Sequence, residues 1–326
     1  MSDTPELGAD ILRRSPHYTL RQLEYFIAVA DSGSVTGAAA AVHLSQSAMS
    51  TALADLERTL GVQLVIRHHA RGITLTEAGE QVLAEARRLL GHAQDLQSLA
   101  AHLGGDVTGQ LRLGCFTILA PYVLPELLSA AADELPGLEI ETTEEPLDRL
   151  AAGLHSGRFE LALGYDLTID DDIESTLLFT VAPHVVLPAD HALAARKRIS
   201  LTALTKEPLV LLDLPHSRDY FARLYAAAGV TPDIRYRTQS AELARALVAR
   251  GLGYAVLNLR PHAELSLEGL PYVVVPLHVP LPKTESDLRV VLMSVAGARP
   301  TRRSQAVVEL ASRVLPASMK PNQSGK

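Results

Sequence analysis

One cysteine, Cys115, and no tryptophan occur in 326 residues, and only 4% of the chain is aromatic. A lone thiol excludes an internal disulfide framework, and structural packing is the plainest role for it. No lysine precedes Lys197, and 37 acidic side chains against 30 Lys and Arg give a formal net charge of -7. An evenly basic surface of the kind that binds polyanions is thereby excluded. No apolar run is long enough to span a membrane, and the opening MSDTPELGADILRRSPHY has no apolar core of an export signal. The chain therefore reads as cytoplasmic, with no membrane partner. Enzyme signatures are missing too: there is no G-x-S-x-G elbow, no H-E-x-x-H and no Walker loop, and Gly251-Leu252-Gly253 lacks the third glycine of a dinucleotide fingerprint. Neither an enzyme nor a cofactor is expected. The twelve histidines are scattered and read as solvated or backbone-contacting, His68-His69 is not at a metal spacing, and Asp170 to Asp172 lacks the Gly and terminal Glu of a calcium loop.

What is present is a soluble globular composition, 47% apolar and 21% charged, long enough for two or three domains. The densest signal lies between Ser34 and Gly79. Thr19 can cap a first helix, Ser34 a small-residue helix over Val35 to Val42, and Ser45 a further helix starting at Gln46, with only His43 and Leu44 between the last two. Met49, Leu53, Leu56 and Leu60 recur at steps of four, three and four and turn one face inward. Gln46, Ser47, Ser50, Thr51 and Ala54 are left outside, a face of short hydroxyls and one amide that suits base edges in a major groove. Gly61 ends the helix as a left-handed residue would. The apolar run Val62 to Ile66, a polar bend from Arg67 to Gly72, and Ile73 to Leu75 then form either a wing or an ordinary exposed hairpin. Arg67 and Arg71 at that bend suit phosphate or a narrow minor groove.

The stretch from Tyr18 to Glu80, with SQ-x-A-x-S at Ser45, LE-x-x-LG-x-x-L at Leu56 and LTEAG at Leu75, resembles the amino-terminal domain of LysR-type transcriptional regulators. The resemblance implies a winged helix-turn-helix with base contacts from Gln46, Ser47, Ser50 and Thr51, and backbone contacts from Arg67 and Arg71. Ser47 stands where the family usually has Pro, and Thr51 where it often has a basic residue. Only Arg58, Arg67 and Arg71 surround the motif as positive groups, opposed by Asp55 and Glu57, so neutralisation of phosphate by one reader is modest and tight binding needs several subunits.

Thr76 and Glu77 open an Ala- and Leu-rich helix reaching about Leu103. Val82, Ala86, Leu89, Ala93, Leu96, Ala100 and Leu103 alternate steps of four and three, the seam of a coiled coil about 40 Å long. The alternative is an amphipathic helix folded on its own domain. The family resemblance implies an antiparallel dimer through this linker helix. Leu103-Gly104-Gly105-Asp106 marks a hinge.

From Gly109 onward apolar strands alternate with helices, which predicts an α/β half with parallel sheets and helices on both sides. Strands are expected at 110–115, 138–143, 160–165, 185–187, 209–212, 234–238, 253–257, 272–275 and 288–294. The resemblance implies two α/β subdomains, built like a type 2 periplasmic binding protein, with an effector in the cleft between them. The expected organisation is a flexible extension over 1–17, the winged helix-turn-helix over 18–76, linker helix and hinge over 77–105, the effector domain over 106–316 and a flexible tail over 317–326. Within the effector domain, subdomain 1 takes about 106–164 and 271–316 and subdomain 2 about 165–270. Polar residues at strand ends and helix starts become effector candidates: Thr117, Thr143, Ser217, Gln239 and Ser240, with Arg218 or His216 as charged alternatives ranked below Ser217. Each hydroxyl is also readable as a plain N-cap. Their convergence at helix starts favours a small anion, a carboxylate above all. Tyr165, Pro215, Tyr220 and Asn258 are candidate cleft walls. The expected function is a homodimeric or homotetrameric regulator of this type, binding an interrupted inverted repeat in double-stranded DNA, with RNA polymerase as a further partner. A cytoplasmic small-molecule-sequestering protein of periplasmic-binding fold is the rival reading.

Overall fold

The structure, a computed structural model, describes residues 16–68, 72–101, 107–167, 170–215 and 217–318. Arg71, His69, His216, the Leu103 to Asp106 hinge, and most of the expected terminal extension and tail lie outside the described residues. The chain divides into two compact units, residues 1–101 with 155–158, and the remainder.

In the first unit Thr19 caps α1 (Leu20–Ser32) through a capping box with Gln22. Ser34 caps α2 (Val35–Ala41), its Oγ accepting from the Gly37 N–H at 2.9 Å. Ser45 caps α3 (Gln46–Leu60), accepting from Ala48 at 3.1 Å, and Gly61 closes that helix with φ 71°. Leu23, Phe26, Val29, Met49, Leu53 and Leu56 form the core beneath these helices. Strands β1 (Val65–His68) and β2 (Gly72–Leu75) pair antiparallel as the hairpin, with Arg67 opposite Ile73. The His68 ring bonds the Thr74 hydroxyl across it at 2.8 Å.

The Leu64 carbonyl organises the exit from the hairpin. It accepts from the Thr76 N–H at 3.0 Å, while the Leu64 and Val65 N–H groups are held by Glu57 Oε1 at 2.8 and 3.2 Å. Thr76 caps the long helix α4 (Glu77–Ala101): its Oγ1 donates to the Gln63 carbonyl at 2.6 Å and accepts from the Gly79 N–H at 2.9 Å. A Cβ on Gly79 would lie 2.0 Å from the Leu64 oxygen, so only glycine fits. The LE and LTEAG signatures thus meet on one carbonyl. The seam expected along α4 is divided. Ala86 is buried in this unit's own core and Val82 packs against it, whereas Leu89 and Leu96 stand 40% and 67% exposed. The first turns fold on their own domain because their apolar phase meets α1, and the distal seam residues Leu89 and Leu96 are the ones left to water.

In the second unit β3 (Gly109–Phe116), β4 (Leu138–Glu145), β5 (Leu161–Tyr165), β6 (Ile173–Val181) and β13 (Leu288–Val295) form a five-stranded sheet ordered β4-β3-β5-β13-β6. Helices α5 (Ala120–Glu134), α6 (Leu147–His155) and α10 (Arg302–Ser318) accompany it. The second subdomain carries β7 (His184–Pro188), β8 (Ile199–Ser200), β11 (Ala255–Leu257) and β12 (Tyr272–His278) in the order β11-β7-β12-β8. A parallel pair, β9 (Pro208–Leu212) with β10 (Asp233–Thr238), stands beside α7 (Ser217–Ala227) and α8 (Ala241–Ala249).

The sheets are mixed, not purely parallel: β13 runs antiparallel to β5 and β6, and β7 antiparallel to β11 and β12. The subdomain boundaries also differ from expectation. The chain crosses between Val181 and His184, not near Tyr165, because β6 pairs with β13 of the first sheet. It returns between His278 and Leu288 through α9 (Lys283–Ser286), not near Leu270, because β12 belongs to the second sheet. No described helix is long and apolar enough to cross a membrane.

Gly79→Ala should destabilise the reader unit by about 1–3 kcal/mol through the Leu64 clash, seen as an earlier urea transition of that unit in the full chain. An unchanged midpoint would show that the backbone shifts without strain.

Candidate functional site

Helix α3 presents Gln46, Ser47, Thr51 and Ala54 to solvent and half-buries Ser50. Their order follows from the core phase: Met49, Leu53 and Leu56 are each no more than 1% exposed, which turns the opposite face outward. Local bonds fix two of the hydroxyls. Ser47 Oγ lies 3.0 Å from Ser45 Oγ, and Thr51 Oγ1 donates to the Ser47 carbonyl at 3.0 Å, leaving the threonine oxygen as an acceptor. Gln46, at the first helical position, is the long side chain of the face and carries both donor and acceptor. Arg67 is exposed on β1 with no ion pair among the described residues, whereas Arg58 is paired with Asp55 within its own helix.

In the second unit a narrow cavity of about 20 Å³ lies where the ends of β3 and β5 face α7, α8 and the chain after β11. Phe116 and Tyr165, whose rings meet edge to face at 5.6 Å, wall it from the first subdomain. Ser217, Phe221, Arg245 and Asn258 wall it from the second. A single water needs roughly 10–15 Å³ of such space, so the cavity has room for little more than one water.

Of the effector candidates among the described residues, Ser217 alone borders this cavity, buried as the first residue of α7. Thr117 is exposed past the end of β3, where its N–H donates to the Glu145 carbonyl at 3.1 Å. Thr143 is exposed inside β4, which runs two residues further than expected. Gln239 is exposed, and Ser240 is the N-cap of α8, its Oγ accepting from the Leu243 N–H at 3.2 Å. Arg218 Nε bonds Asp213 Oδ1 at 2.6 Å, while Arg237 Nη1 bonds Oδ2 at 3.0 Å. Among the wall candidates Tyr165 and Asn258 border the cavity. Tyr220 stands behind it, its Oη accepting from Asn258 Nδ2 at 2.8 Å and donating to the Ser286 carbonyl at 2.6 Å.

The feature that the sequence reading missed is Arg245. It is 1% exposed on α8, its Nη2 donates to the Leu259 carbonyl at 2.7 Å, its Nη1 contacts the Glu242 carboxylate, and its buried Nε has no acceptor. The spacing held a signal, because Ala241, Ala244 and Val248 are buried on the same helical face. The surroundings feel this charge. Burial raises the phenol pKa of Tyr122, with Arg245 opposing, and burial reinforced by Arg245 and Arg260 takes His184 down to about 3, so that its imidazole is neutral near pH 7. His184 is also a buried histidine, unlike the solvated ones expected. Cys115 is buried in β3, and burial, aided by Glu144, pushes its thiol up to about 12.

The model of the family described as "Bacterial regulatory helix-turn-helix protein, lysR family" matches residues 20–80, and that of the "LysR substrate binding domain" matches residues 104–316. The chain belongs to the LysR family. This LysR-type chain is a DNA-binding transcriptional regulator and not an enzyme. It is 37% identical over 260 residues to a "probable hydrogen peroxide-inducible genes activator" of Streptomyces viridosporus, spanning 78% of this chain and 81% of that one. It is 30% identical over 261 residues to the uncharacterized HTH-type transcriptional regulator YvbU of Bacillus subtilis, spanning 80% and 86%. The crystal structure of HinK, a LysR family transcriptional regulator from Pseudomonas aeruginosa, is similar with a TM-score of 0.61 at 34% identity, over 92% of this chain and 99% of that one.

In this regulator the Asp213 carboxylate joins the start of α7 to the end of β10, and so sets where Ser217 stands. The Arg218 hydrogen bond first, then that of Arg237, hold its pKa below the usual carboxylate value. A depressed pKa contributes stability that is present above the unfolded value of about 3.9 and is lost as pH falls through the folded value. Asp213→Asn should therefore lower the unfolding midpoint at pH 7 and shrink the difference between pH 7 and pH 3. An undiminished acid sensitivity would assign it to other carboxylates.

Proposed function

We propose that this LysR-type regulator binds an interrupted inverted repeat as a homodimer through α4, assembled into a homotetramer, and that a small carboxylate effector in the cleft between the effector subdomains modulates operator binding or promoter activation. Gln46, Ser47, Ser50 and Thr51 read bases, and Arg67 with Arg71 grips the backbone. The observation that carries the anionic reading is the buried guanidinium of Arg245 beside a cavity that Ser217 and Asn258 also border, since an unpaired buried donor favours a charged acceptor. The exposed side chains of Leu89 and Leu96 on α4 support pairing with a second helix.

Hydrogen peroxide is named for the Streptomyces relative. For this chain the thiol chemistry is unfavourable. Peroxide attacks thiolate, and Cys115 is buried, held protonated and without a second cysteine to resolve it. A bound ligand, not a disulfide, is therefore the signal.

An effector that prefers the closed cleft shifts the population of subunit arrangements and with it the spacing of paired reader domains; RNA polymerase then meets a differently bent promoter. Fluorescence anisotropy with DNA from upstream of the regulator's own gene tests this, using a carboxylate that raises the thermal midpoint. That carboxylate should change operator affinity by roughly 5- to 150-fold, and the operator should change carboxylate affinity by the same factor. Tight operator binding with no coupling in either direction would leave a DNA-binding protein whose cleft does not control it. Carboxylate binding with no specific DNA binding would instead favour a sequestering protein.

A further inference from the structure

Arg245 and Glu242 lie three residues apart on α8, with side chains 1% and 44% exposed. The guanidinium is buried and its partner is half in water. Glu242 meets only Nη1, the Leu259 carbonyl takes Nη2 at 2.7 Å, and Nε is left without an acceptor although it is buried. Such a pair is incomplete on both sides: the charge has been taken out of water, but the carboxylate opposing it has not. We propose that the Glu242 carboxylate is an internal stand-in for the effector, occupying Arg245 in the free molecule and giving way when a ligand carboxylate enters the cavity. The inference rests on the anionic reading of the cleft above.

Three features of the geometry support an exchange over simple addition. The cavity of about 20 Å³ leaves no room for a ligand while the subdomains stay closed, so entry and rearrangement go together. A free carboxylate has two oxygens and no helical tether, so it can oppose the guanidinium with two parallel hydrogen bonds where Glu242 makes one. Exchange also conserves charge: one carboxylate leaves for water, where Glu242 already half stands, as another enters, and the buried cation is never unopposed. A neutral amide of the same shape would strand the guanidinium, so the site discriminates by charge.

The consequence is a built-in threshold. Ligand must outcompete a carboxylate present at the high local concentration of its own helix, so affinity is lower than the site could provide and the regulator answers only to abundant anion.

The test uses the full-length protein at constant ionic strength, following the thermal midpoint against acetate and benzoate and against acetamide and benzamide. In Glu242→Gln the half-saturating carboxylate concentration should fall by roughly 10- to 100-fold, the worth of one charge-assisted hydrogen bond. The amides should leave the midpoint unchanged, and Arg245→Met should abolish the response. Glu242→Gln keeps an acceptor oxygen for Nη1 but removes the opposing charge, so its ligand-free midpoint should fall below the parent's and the carboxylate response is read from that lower baseline. If Arg245→Met does not fold, Arg245→Lys, which keeps the charge but loses the planar fork, should weaken the response. Carboxylates that bind Glu242→Gln no tighter than the parent would overturn the exchange while leaving an anionic effector standing. No carboxylate response in either protein would overturn both.

Discussion

A positive charge buried at the floor of a cleft is the constraint on which the effector half depends. Removing a partner from a buried ion pair costs about 3–5 kcal/mol, so the fold around Arg245 must keep acceptors against it whatever else happens. Leu259 and Glu242 supply them within the second subdomain, and Tyr122 stands near enough from the first to feel the charge. Phenols from β5 and α5, Tyr165 and Tyr122, thus stand beside a guanidinium on α8. The burial that lowers the His184 pKa also strengthens each electrostatic contact that Arg245 makes.

The reader unit depends on a second, smaller constraint. Three chain segments converge near Leu64: its carbonyl accepts from Thr76 and leaves space only for Gly79, while its N–H is held by Glu57. Helix α3, the hairpin and the start of α4 are thus fixed together by backbone hydrogen bonds, the Glu57 carboxylate and the Thr76 hydroxyl. The outward residues of α3 take no part in those bonds, so substitutions among them leave the junction intact. Ser47 and Thr51 are such substitutions. Their hydroxyls are tied to Ser45 and to the Ser47 carbonyl, which presents compact acceptors where a longer cation would reach phosphate.

The reader domain was legible because capping hydroxyls, a two-residue connection and a clean helical phase at Met49, Leu53 and Leu56 all point the same way. Strand β6 was not legible. It is an edge strand whose sequence, IESTLLFTV, buries Ile173, Leu178 and Val181 without an alternating pattern, and missing it displaced the expected subdomain crossing. The effector candidates were chosen as hydroxyls at helix starts, a local rule that capping satisfies just as well, as Ser240 shows. Arg218 looked available because Asp213 and Arg237 come to it from separate strands. Only tertiary structure brings those three charges together. Arg245 was passed over for the opposite reason: an arginine at a buried phase is improbable on composition, yet the helix period placed it there.

The charge balance joins the two halves. With no lysine before Lys197 and Arg58 already neutralised by Asp55, one reader domain releases few counterions from DNA and gains little non-specific affinity. Linking readers multiplies a weak term by the effective concentration that the linker geometry sets, and that gain vanishes when the geometry forbids simultaneous contact. Strong individual binding would make the assembly insensitive to its own arrangement. Weak individual binding makes the spacing of linked readers decisive for occupancy. The acidic balance of the chain is thus compatible with DNA recognition, provided that several readers act together.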